Sequence, residues 1–201
     1  MNAFERRSLS VQIVRSYAAN LQAERPLDLQ LTGIRDALLH PDQLPCDGSW
    51  RQWDAIPRSD LTAEECWPTH QLVWLTPDAT RPLLDLPEPG KGVLVIGGII
   101  DRSVIKGLTA SRAHERRIQA RRLPLREFAP KGNVHPILAP FMVVQILAAV
   151  HSGMTWEAAI EVGLPRRFVK RREKEAFFRA EQKALKALRR EAAGGGDGRS
   201  S

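Results

Sequence analysis

One carboxylate, Asp101, follows two adjacent glycines, Gly97 and Gly98, with Arg102 and Lys106 close behind it in the stretch VLVIGGIIDRSVIKGL over 93–108. A carboxylate can take a proton from a substrate, and neighbouring cations can hold an anionic substrate in place. The glycines admit a close approach that a Cβ would block. Ahead of them, Val93, Leu94, Val95 and Ile96 form an unbroken aliphatic run, the pattern of a strand covered on both faces in a parallel sheet. Open α/β sheets bind ligands at such strand ends. The same residues also suit a buried strand, a tight turn and a helix-capping aspartate, and the glycine pair is not a G-x-G-x-x-G motif.

The elements that must position this stretch follow from hydrophobic spacing. Leu9, Ile13, Tyr17 and Leu21 recur at a helical interval and predict an amphipathic helix over 8–22, closed by Pro26. Residues 27–33 alternate apolar and polar and predict a half-buried strand. Residues 34–53 dissolve into a loop whose Trp50 and Trp53 read first as a lid over the core and second as base-stacking rings. A short helix is expected within 56–66, opening on Ser59 or Thr62. Strands follow over 71–76, 93–98 and 118–123. Between them, helices are expected over 79–86, capped by Asp78, and over 109–117, capped by Thr109. Helices over 141–151 and 155–162, the second capped by Thr155, complete the pattern. Four strands separated by short helices imply an α/β fold with a mostly parallel sheet and flanking helices.

Charge is distributed unevenly. The chain of 201 residues carries a net +7, yet residues 1–101 hold 9 Lys/Arg against 14 Asp/Glu, whereas residues 102–201 hold 21 against 9. The basic half begins where the glycine turn ends. That asymmetry suits a polyanion such as RNA or DNA laid across one side, and a solvated charged face is the plainer account. Residues 166–190 contain 11 Lys/Arg with Phe168, Phe177, Phe178, Leu185 and Leu188 between them, the pattern of a basic helix with a thin apolar stripe. The glycine-rich end from Gly194 predicts a disordered tail. Cys46 and Cys66 lack metal-ligand spacing, so neither a disulfide framework nor a metal site is expected. No apolar run reaches the ~18 residues of a membrane span, and no secretory signal is visible, so an intracellular protein without membrane partners is expected.

Taken in order, several stretches resemble one family, the SPOUT-class methyltransferases that modify N1 of the purine at position 9 of tRNA. They are LSVQIVRSYAAN (9–20), VWLTPD (73–78), VIGGIIDRS (95–103), KGLT (106–109), ARRLPL (120–125), VVQIL (143–147), TWEAA (155–159) and LPRR (164–167). The resemblance implies a SPOUT-type α/β domain over 1–165 with a C-terminal trefoil knot, an exception to the rule that chains do not knot. A basic C-terminal helix over 166–192 and a tail over 193–201 would follow. It implies S-adenosyl-L-methionine as cofactor, held by Leu75, Thr76 and Pro77, by Gly97 and Gly98, by Leu123, Pro124 and Leu125, and by Leu138, Phe141 and Val143 in the segment 137–143. Asp101 stands where the family carries its active-site carboxylate. Gln12, Arg15, Arg102 and Lys106 match positions facing the substrate RNA, and Arg121, Arg122, Arg166 and Arg167 extend that basic face.

Those residue types suit the chemistry. Guanine N1 carries a proton at neutral pH and must lose it to attack a methyl group, which a nearby carboxylate assists; adenine N1 has a free lone pair. Asp101 therefore matters more if the target is guanine, which is expected ahead of adenine. Family members begin with an additional strand bearing an acidic residue, whereas here Met1 stands only a few residues before the first helix, so the chain is either truncated there or lacks that strand. Members also place Thr, Asn, Gln or His where this chain has Pro140, Phe141 and Met142. These departures sustain an alternative, a catalytically weak RNA-binding subunit of an RNase P-type tRNA-processing complex with partner proteins. The resemblance implies a monomer. The first residues, with Glu5 among Arg6, Arg7 and Arg15, favour cytoplasm or nucleus over mitochondrion.

Overall fold

The computed structural model describes residues 3–34, 56–98, 108–129 and 135–164. The chain divides after Gly163 into two units, and all but Leu164 of the second lies outside the described residues.

Two apolar runs set the centre of the fold. β1 (Leu72–Leu75) and β2 (Val93–Ile96) are aliphatic or aromatic at every position and so need cover on both faces. They pair in parallel, Leu72 opposite Val93 and Leu75 opposite Ile96. β3 (Gln119–Arg121) pairs in parallel with the other edge of β1, Val73 opposite Gln119 and Leu75 opposite Arg121. The order is β2-β1-β3. All three strands run the same way, and the register brings their C-terminal residues, Ile96, Leu75 and Arg121, level with one another.

On one face of the sheet, Ala63, Leu72 and Ile118 are buried with Trp67, Trp74, Val93 and Val95 packed around them. α2 (Ala63–Cys66) covers this cluster. It opens on Thr62, whose N–H donates to Glu65 Oε2 at 2.7 Å, so the reach-back of a capping-box glutamate satisfies one of the helix's free donors. Arg116, just past α3 (Leu108–Glu115), pairs with Glu64 and lies 5.7 Å from the Trp74 ring centre. Arg117 then takes φ 55°, ending α3 and turning the chain into β3.

A helical layer completes the unit. α1 (Ala3–Leu21) lies along α5 (Pro140–His151), which packs on α6 (Trp156–Gly163). Pro140 occupies the first turn of α5, where its missing N–H costs nothing. Val144, Ile146, Leu147 and Ala148 of α5 are buried, as are Trp156, Ala159, Ile160 and Gly163 of α6. Gly163 permits the approach, because a Cβ there would collide with the Ile146 side chain. Asn20 closes α1 by a two-way bond with Leu27, its Nδ2 donating to the Leu27 carbonyl and its Oδ1 accepting from the Leu27 N–H, both at 2.8 Å. Thr155 caps α6, its Oγ1 accepting from the Ala158 N–H at 3.4 Å.

The mixed α/β fold with a parallel sheet agrees with expectation, and several details do not. Residues 27–33 form no strand of the sheet: Leu31 makes an isolated parallel bridge with Arg58, and Gly33 leaves it at φ 66°. Residues 79–86 are not helical. Pro82 forces Arg81 towards extended conformations, and the segment instead bonds to the chain beyond β3. Leu83 N–H donates to the Arg122 carbonyl at 2.8 Å, and Arg122 N–H to the Arg81 carbonyl at 3.0 Å. Thr109 lies within α3 rather than capping it, since the helix starts at Leu108. α1 begins at Ala3, several residues earlier than its apolar stripe. A one-turn helix, α4 (Leu125–Phe128), was not anticipated. Trp50, Trp53 and the expected basic helix and tail lie outside the described residues. Among the described residues, no helix is long and apolar enough to cross a membrane, and no group of three or more His, Cys, Asp or Glu could hold a metal ion.

Candidate functional site

Beyond the level C-terminal ends of the three strands lies an open cavity of about 190 Å³. Leaving β1, the chain supplies Leu75, Thr76 and Pro77; leaving β2, Ile96 and Gly97. Past β3 come Arg122 and Leu123, then Leu125 and Arg126 of α4. The approach to α5 contributes Pro136, Ile137 and Leu138, and its first turn Pro140 and Val143, while Thr109 of α3 closes the remaining side.

Local sequence explains why the walls stand where they do. Thr76, 4% exposed, prolongs the ladder by donating its N–H to the Arg121 carbonyl at 2.9 Å. Pro77 cannot donate and stops the strand. Leu125 N–H donates back to the Leu123 carbonyl at 2.8 Å around the fully buried Pro124, a tight turn that swings the chain into α4.

The wall is mainly apolar, and two arginines interrupt it. Arg122 is 8% exposed and binds both oxygens of Glu127, Nη1 to Oε2 at 2.8 Å and Nη2 to Oε1 at 2.6 Å. Hydrogen bonding to Glu127 raises the Arg122 pKa, and the same bonds hold the Glu127 carboxyl below the usual carboxylate range. Arg126, at the exposed rim, makes no hydrogen bond or ion pair among the described residues.

Of the residues expected around a cofactor, Leu75, Thr76, Pro77, Gly97, Leu123, Leu125, Leu138 and Val143 share this one cavity. A Cβ built at Gly97 meets nothing within 4 Å. No neighbour among the described residues demands glycine there, and the room a side chain would take stays open to the cavity. Three expected residues stand outside the wall. Gly98 faces α1, where a Cβ would lie 3.4 Å from Leu9. Pro124 is buried under its own turn. Phe141 turns away, its ring centre 5.4 Å from the Arg15 guanidinium of α1.

The RNA-facing set divides as well. Arg122 is buried and paired with Glu127 rather than presented on an open basic face. Arg121 is half-buried, with Nη1 donating to the Ala120 carbonyl at 3.1 Å. Gln12 on α1 keeps its side-chain oxygen buried without a hydrogen-bond partner among the described residues, and Arg15 is exposed over Phe141. Asp101, Arg102, Lys106, Arg166 and Arg167 lie outside the described residues. Sequence reasoning did not anticipate Ile96, Thr109, Arg126 and Pro136 in the wall. Their signal was position: each adjoins a strand end or a loop already singled out.

A parallel sheet whose strand ends open together on a glycine-lined, mainly apolar cavity defines a ligand-binding α/β domain. Its family follows from sequence: the profile described as tRNA (guanine(9)-N(1))-methyltransferase TRM10/TRM10A matches residues 1–191, and the chain belongs to that family. It is 34% identical over 167 residues to a tRNA (guanine(9)-N1)-methyltransferase of Eremothecium gossypii, covering 83% of this chain and 55% of the relative. It is 33% identical over 173 residues to tRNA methyltransferase 10 homolog B of Rattus norvegicus, covering 82% of this chain and 53% of the relative. The chain thus spans about half the length of these curated relatives. In structure it resembles the full-length spTrm10–SAH complex, with a TM-score of 0.71 and 26% identity over 82% of this chain and 86% of that one. These relatives carry methyltransferase names and lend no support to the RNase P-type alternative.

Proposed function

We propose that this chain is the catalytic domain of a methyltransferase that binds S-adenosyl-L-methionine in the strand-end cavity and methylates N1 of the purine at position 9 of tRNA, guanine in preference to adenine. The observation that carries this reading is the open space at Gly97, a cradle that a side chain would fill, at the point where all three strands end. The methyltransferase names of its relatives and the S-adenosylhomocysteine of the solved neighbour support it.

The residues present fit the cofactor. Leu75, Ile96, Leu123, Leu138 and Val143 offer apolar walls to an adenine ring and a thioether chain, and Gly97 leaves room for them. When bound, S-adenosyl-L-methionine supplies an electrophilic methyl group. Asp101, three residues beyond Gly98 in sequence, takes up the N1 proton of guanine as that nitrogen becomes a nucleophile. Gln12, Arg15, Arg102, Lys106, Arg121, Arg166 and Arg167 hold the RNA so that the purine, taken out of its stack at a cost of a few kcal/mol, reaches the cavity.

The same reading carries finer features: a trefoil knot in the C-terminal part of a domain over 1–165, a basic helix over 166–192 with a tail over 193–201, a monomer acting on one tRNA, and residence in cytoplasm or nucleus. Incubation with tRNA and labelled S-adenosylmethionine, followed by mass mapping of nucleosides, should give 1-methylguanosine at position 9. Replacing Asp101 by Asn should depress that product while tRNA binding persists. A protein that neither binds S-adenosylhomocysteine in calorimetry nor methylates tRNA would end the proposal.

A further inference from the structure

The cavity wall contains two cations and, among the described residues, no carboxylate. The two differ in state. Arg122 is buried and held through two short hydrogen bonds, which occupy both oxygens of Glu127. Arg126 adjoins Glu127 in sequence, and its charge contributes weakly to lowering that carboxyl's pKa. Arg126 donates to neither oxygen, and it makes no hydrogen bond or ion pair among the described residues. Among the described residues, a planar guanidinium with five N–H donors is thus left uncommitted at the rim of a mostly apolar cavity. Such a site fits a ligand with an apolar, ring-bearing body and an anionic end, the body inside and the anion at the mouth.

We propose that Arg126, on the cavity wall and without a hydrogen-bond or ion-pair partner among the described residues, binds the carboxylate at the amino-acid end of the methyl donor. This rests on the function proposed above. A carboxylate matches the guanidinium fork in a bidentate way and forms a charge-assisted bond. A phosphate of the RNA offers related chemistry at the same rim, and the measurements separate the two sources.

Calorimetry of wild type, Arg126→Ala and Arg126→Lys would compare S-adenosylhomocysteine with 5′-methylthioadenosine, which keeps the adenosine and thioether but lacks the carboxylate. Arg126→Ala should weaken S-adenosylhomocysteine by about tenfold or more, the loss of a charge-assisted bidentate pairing at an exposed rim, and leave methylthioadenosine within about twofold, as no contact to it is lost. Arg126→Lys should recover part of the loss, and tRNA affinity with its salt dependence should not move. Equal losses for both small ligands would overturn the assignment by showing a distorted pocket. Loss confined to tRNA, with the salt slope smaller by about one, would overturn it in favour of a phosphate contact. A wild type that binds neither small ligand overturns the proposed function itself, and this inference with it.

Discussion

At Gly97, on the cavity wall, a Cβ would meet no neighbour within 4 Å among the described residues, so a side chain there would take ligand space at little cost to packing. Replacing it by Arg should abolish S-adenosylhomocysteine binding in calorimetry while the melting temperature shifts little; undiminished binding would show that the ligand lies elsewhere. Glu127 gives a prediction of a different kind. Its pKa is lowered in the folded state by hydrogen bonds from Arg122, so its stabilising contribution is complete above the ordinary value of 4.5 and fades as pH falls through the lower folded value. Glu127→Gln should therefore lower the melting temperature at neutral pH and leave a flatter pH dependence below 4.5 than wild type. Identical acid limbs in the two proteins would contradict this. Arg122 itself shows how sequence misleads at this scale. A cation in a basic half reads as surface, and nothing in its own type reveals that the chain turns at Pro124 and brings Glu127 back onto it.

At the scale of elements, what could be read in advance was what depends on a residue's own neighbours in sequence. The unbroken aliphatic runs of β1 and β2 required burial on two faces, and the helix over 141–151 required an apolar environment; each forms as its pattern demands. Residues 27–33 alternate as a strand should, but a strand needs an edge to join, and what they meet is the short segment 57–61, to which Leu31 and Gly33 bond through one isolated bridge and a few backbone hydrogen bonds. Phe141 is expected on the cofactor side from the family resemblance over 137–143, yet in α5 its ring lies by Arg15 of α1. α4 escaped notice because one turn carries no periodicity. The α5–α6 contact makes a testable claim. Gly163→Ala would thrust a methyl group into Ile146 and should cost about 1–3 kcal/mol by chemical denaturation. Combining it with Ile146→Val, which withdraws part of the obstructing side chain, should restore some of that loss; strict additivity would mean that the two helices do not touch there.

At the scale of the whole molecule, the function proposed above makes charge asymmetry the determinant of encounter with RNA. With 21 Lys/Arg against 9 Asp/Glu beyond residue 101, tRNA affinity should fall steeply and linearly on a log–log plot against salt, each neutralised phosphate adding about 0.7–0.9 to the slope. A shallow slope measured by filter binding would assign that charge to a merely solvated face. Cofactor binding, centred on apolar walls, should respond far less to the same titration.

The sheet's connectivity also dictates an order of events during synthesis. β1 occupies the middle of the three described strands, yet Leu72 waits for Val93 and Val73 waits for Gln119, so the central strand is synthesised before either of the partners that enclose it. Its apolar residues stay exposed until the chain has grown through Arg121, and only then do the three strand ends converge to make a place for a ligand.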